Sequence, residues 1–136
     1  MSRSLFMLLT GIYGLLLALA MVFAPEAAIR NYGAPEVNLN HIAVMQFLGL
    51  STGAIALMTL LNRNASSSDP LRTLLLAQAL LLVSGVVLGI YHAIVVHVPM
   101  NTFFIGDSLF RLALGLGFVY FYYRETKQAK NGAVLA

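Results

Sequence analysis

Asp107 and Arg111 stand four residues apart inside an apolar stretch of the chain. At that spacing two side chains lie on one helical face within reach of each other, so an ion pair is the first chemistry on offer. An unpaired ionic group in hydrocarbon costs about 3 kcal/mol or more, which makes pairing the expected resolution. Asp107 with His92 could also pass a proton. No nucleophile and no set of metal ligands accompanies them, however, so the sequence contains no recognisable catalytic constellation.

His92 has a second reading. A neutral imidazole there could be the axial ligand of a haem or pigment metal, with Gly85 and Gly89 below it leaving space for a flat ring. A metal site built from His41, His92 and His97 is a poorer fit, because residues five apart on a helix point to different faces. His41 and His97 read as interfacial side chains. The absence of cysteine removes disulfides, thiolate metal sites and thiol redox chemistry together.

These residues are carried by four apolar stretches, 5–24, 42–61, 71–98 and 103–123. At about 1.5 Å per residue, twenty helical residues span roughly the 30 Å of a bilayer core. The third stretch, longer than the rest, must tilt or protrude. Hydrophobic residues make up 60% of the chain and charged ones 10%, with a mean hydropathy of +0.84, which leaves no room for a soluble catalytic domain. The expected fold is all-α: a polytopic, four-transmembrane-helix antiparallel bundle forming one domain over 1–136. Arg3 and Ala18-Leu19-Ala20 also fit a cleavable leader, but the apolar run continues through Phe23, so a retained first span is expected.

Each stretch carries a stripe spaced alternately by three and four residues. The first holds Met7, Gly11, Gly14, Ala18 and Met21; the second Gln46, Gly49, Gly53, Ala56 and Leu60; the third Gln78, Leu82, Gly85, Gly89, His92 and Val96; the fourth Ser108, Arg111, Gly115, Phe118 and Tyr122. Such stripes face neighbouring helices, and small residues let backbones approach where lipid supplies no hydrophobic drive. Gly11, Gly14, Gly49, Gly53, Gly85, Gly89 and Gly115 are therefore read as packing positions.

Basic residues set the orientation. Arg3, Arg63, Arg72, Arg124, Lys127 and Lys130 flank one side of the spans and only Arg30 the other, which predicts cytoplasmic N- and C-termini. The net charge of +3 is thus a matter of membrane orientation, not of nucleic acid. With spans running alternately up and down, His41, Gln46, His92, Asp107 and Arg111 should gather at the non-cytoplasmic end, His92 and Asp107 roughly 6–9 Å below its boundary. Residues 25–40 read as a loop, Asp69-Pro70 as a helix start, and Pro99 as the stop of the third helix. The tail 124–136 should be disordered unless a partner orders it.

The order of these features resembles a family. An apolar helix ending in Pro25-Glu26, then Tyr32-Gly33, Asn40 leading into a helix with Gly49 and Gly53, a glycine-rich third helix and Asp107 in the fourth look like the small four-helix membrane proteins of the DUF4345 type, in the DoxX-like group. The likeness covers about 5–123 and implies a fold rather than a reaction. Members tend to carry an arginine early in the second helix, where this chain has Met45 and Gln46; Arg111 could supply that charge from another helix. Size and small-residue faces then predict a non-enzymatic accessory or scaffold subunit, in contact with membrane lipids and a protein partner. The alternative is a membrane-embedded binding module for a lipid, quinone, sterol or pigment at the polar end.

Overall fold

The computed structural model describes residues 1–34, 36–98 and 100–134, with side chains through Asn131. Its elements are α1 (Arg3–Phe23), α2 (Pro25–Asn31), α3 (Leu39–Leu61), α4 (Asp69–Ile94) and α5 (Thr102–Val134). The described residues contain no strand. α1, α3, α4 and α5 are each long and apolar enough to cross a membrane. The chain is all-α, with four candidate spans and one short additional helix among the described residues.

Local chemistry explains the helix starts. Ser2 caps α1, its hydroxyl oxygen accepting from the Leu5 amide at 3.2 Å. Asn38 does the same for α3, accepting from the His41 amide at 2.9 Å. α4 opens on Asp69-Pro70 as expected, with Asp69 paired to Arg72 one turn on. Asn101 caps α5, accepting from the Phe104 amide at 2.7 Å.

Three expectations need correction. The region 25–40 is not simply a loop, because α2 occupies its first half. Proline at the first helical position, Glu26 in the first turn and Arg30 in the last all favour a helix there. Seven residues are too few to show a period. A Schellman motif closes α2: the Gly33 amide donates to Arg30 O at 2.9 Å and the Ala34 amide to Ile29 O at 3.4 Å. Gly33 supplies the required left-handed turn at φ 90°.

α4 also ends earlier than its apolar run, at Ile94 instead of residue 98. Val95, Val96 and Val98 are β-branched and extend a helix poorly. His97 takes φ 59°, and the Val98 amide turns back to His92 O at 3.1 Å. Pro99, read as the stop, lies outside the described residues. At the other end of the chain the tail is helical, since α5 continues to Val134. A segment too short to nucleate a helix can still extend one that exists, and Lys127, Gln128, Ala129 and Lys130 are good helix formers.

The chain divides into two compact units, the first holding α1, α2, α3 and α5 as far as Gly106, the second α4 and α5 from Asp107. In the first, the stripes of α1 and α3 meet in antiparallel register. A Cβ built on Gly11 would stand 3.2 Å from Ala56 O, and one on Gly14 would stand 2.8 Å from Ala56 Cβ. On Gly49 it would reach Met21 Cβ and Val22 Cγ2 at 2.9 Å, and on Gly53 Ala18 Cβ at 3.3 Å. Met7, Ala18, Met21 and Ala56 are buried along the same seam. Glycine is needed here because the two backbones come too close for a side chain.

In the second unit, a Cβ on Gly115 of α5 would stand 2.9 Å from Val83 Cγ2 of α4. The buried face of α4 runs through Leu71, Leu75, Gln78, Ala79 and Val86. Gly85 lies outside that face: a Cβ there would meet no atom within 4 Å. Gly89 is half-buried, and His92 and Val96 are exposed.

The two kinds of glycine should behave oppositely on substitution. Gly49→Ala should lower stability by about 1–3 kcal/mol, because Met21 Cβ cannot move without its backbone. Gly85→Ala should leave stability unchanged or raise it by up to about 1 kcal/mol. Thermal unfolding in a mild detergent measures both, and equal losses would contradict the assigned faces.

Candidate functional site

Asp107 lies in the second turn of α5, and Arg111 follows one turn later. The Arg111 Nε donates to Asp107 Oδ2 at 2.7 Å, a short charge-assisted bond. The acid precedes the base along the helix, the favourable order for the helix dipole. Asp107's side chain is 10% exposed and Arg111's 31%, so the carboxylate is the deeper partner. The expected ion pair is formed.

His92 belongs to the same unit, in the last turn of α4. Its ring lies 5.8 Å from that of Tyr91, and among the described residues it makes no hydrogen bond to Asp107 or Arg111. A metal-bound imidazole ordinarily donates from its second nitrogen to an orienting acceptor, and no described residue accepts a hydrogen bond from the His92 ring. Among the described residues no three or more of His, Asp and Glu are grouped to hold a metal ion.

His41 and Gln46 belong to the first unit. His41 sits in the first turn of α3, exposed, with its amide engaged by Asn38. Gln46 is one turn further on, and its Nε2 donates to Val22 O at 3.1 Å. Val22 is in the last turn of α1, whose final carbonyls have no partner within the helix, so Gln46 completes the end of α1. Of the five residues expected to form a polar cluster, Asp107 and Arg111 are directly joined, and Gln46 is engaged with backbone.

Two polar residues with defined roles escaped the sequence reading. Asn101 uses both ends of its amide: Oδ1 caps α5, and Nδ2 donates to Asn31 O at 2.7 Å, the last residue of α2. Beside it, the Tyr32 and Phe103 rings meet edge to face at 5.2 Å. The capping signal was present, since an asparagine immediately before an apolar run is a helix start. Glu125 is the other, 3% exposed although it stands just past the apolar part of α5. Arg124 Nη2 lies 3.6 Å from its Oε1, and the Arg124 guanidinium also covers the Phe121 ring at 5.0 Å. No sequence signal marks a buried glutamate in a tail expected to be disordered.

No family model matches the chain, and no curated protein or solved structure does either.

The pair should be cooperative. Asp107→Asn or Arg111→Gln alone leaves a charge without its partner and should cost roughly 3 kcal/mol, whereas the double variant should lose clearly less than the sum. A thermal-stability cycle in detergent reads the coupling directly. Strictly additive losses would show that the two side chains do not support each other.

Proposed function

We propose that this chain is an accessory or scaffold subunit of a larger membrane assembly, with no catalysis of its own. The observation that carries this reading is the use made of polar groups within the spans. The hydroxyls of Thr10, Ser51, Thr59 and Ser84 donate to carbonyls four residues earlier on their own helices, at 2.8, 3.1, 3.0 and 2.6 Å. Asp107 and Arg111 engage each other. Groups committed in this way are satisfied within the chain instead of being held ready for a reacting atom. On the outer side of α4, Ser84 and Tyr91 are exposed beside Gly85, a face that another spanning helix could approach closely. The likeness to DUF4345-type proteins belongs to the same proposal, and it implies a small four-span membrane fold without a function.

Extraction from native membranes in mild detergent, followed by cross-linking and mass spectrometry, tests the assembly. The chain should migrate well above its own 14.7 kDa and carry a reproducible protein partner. Recovery solely as a single chain with its lipid belt would defeat the proposal and favour the ligand-binding module instead.

The orientation belongs to this proposal too, with both termini cytoplasmic and α2 on the far side. Six basic residues against one support it. The chain has no cysteine, so single cysteines at the exposed positions Glu36 and Ser67 can be labelled cleanly in intact cells with an impermeant reagent. Glu36→Cys should react and Ser67→Cys should not. The reverse pattern would invert the topology.

A further inference from the structure

Past Tyr123 the surface of α5 changes character. The chain's two lysines, Lys127 and Lys130, both lie here, and no acidic residue follows Glu125. Three residues apart on a continuous helix, they share one face, and both are exposed. Three of the arginines have found partners: Arg72 pairs with Asp69, Arg111 with Asp107, and Arg124 with Glu125 and the Phe121 ring. Neither lysine meets a carboxylate among the described residues.

Depth identifies what these lysines meet. Tyr120, Tyr122, Tyr123 and Arg124 form an aromatic and basic girdle of the kind that marks a hydrocarbon edge. At about 1.5 Å per residue, Lys127 stands roughly 6 Å beyond Tyr123 and Lys130 roughly 10 Å. The headgroup layer on each side of a bilayer is about 5–8 Å thick. Long lysine stems reach along the helix, so both ammonium groups fall at the level of lipid phosphates. Because the helix persists here, the two charges are presented together on one face.

We propose that the Lys127 and Lys130 face of α5 binds the phosphate headgroups of anionic phospholipids in the leaflet from which the helix emerges. Charge complementarity and depth both select this occupant, and the proposal needs no protein partner, so it stands or falls independently of the assembly reading. Each lysine near an anionic surface contributes roughly fivefold to binding.

The test uses the purified full chain in mild detergent, titrated with phosphatidylglycerol or phosphatidylcholine and read by native mass spectrometry. Phosphatidylglycerol should bind more tightly, and K127Q/K130Q should weaken it by roughly 25-fold without altering phosphatidylcholine binding. K127R/K130R should retain it, and Arg30→Gln should change nothing. Equal affinity for the two lipids, unchanged phosphatidylglycerol binding in K127Q/K130Q, or an equal loss in Arg30→Gln would each overturn the proposal. Displacement by inorganic phosphate at matching concentration would make the face a free-anion site and overturn the lipid assignment. Loss of a co-extracted protein with no change in lipid affinity would assign the lysines to an acidic protein surface instead.

Discussion

Hydrocarbon offers no hydrogen-bond partner, and that single deficit governs this structure. Every amide and hydroxyl inside a span has to be answered by the chain itself. The helices answer their own backbones, and the serine and threonine hydroxyls turn back onto carbonyls one turn earlier. The ends of the helices are the vulnerable points, and there the side chains are specific: Ser2, Asn38 and Asn101 serve the starts, and Gln46 serves the end of α1.

The same solvent removes the usual reason for helices to associate. Lipid tails are as apolar as leucine, so contact between α1 and α3 has to come from closeness. Gly11, Gly14, Gly49 and Gly53 provide it by bringing backbone within reach of backbone. Large apolar side chains such as Phe47, at 72% exposed, remain outside. In a soluble protein that exposure would be a liability; in a bilayer it is the lipid-facing surface.

The four spans were legible in the sequence because length and hydropathy are strong signals, and the α1–α3 seam was legible because small residues recur on both sides of it. The face of α4 was legible only as far as Leu82. From there a step of three leads to Gly85 and a step of four to Val86; glycine suggested the first, while Val86 is the buried one. α2 was hidden by its brevity, and the helical tail by judging it apart from the helix that nucleates it. At the candidate site, i to i+4 spacing was enough to give the Asp107–Arg111 pair. Gln46 was read as part of a polar cluster, and its bond to Val22 O depends on the register between two helices, which spacing within one helix does not contain.

The bond from Asn101 to Asn31 joins positions 70 residues apart. The cap on Phe104 is local, three residues away, whereas the bond to the Asn31 carbonyl closes over the whole of α3 and α4 in sequence. Loop-closure entropy grows only slowly with length, so even across so many residues the closure costs only modestly more than a short loop would. Asn101 thus ties the end of α2 to the start of α5, one amide serving a local and a long-range contact at once.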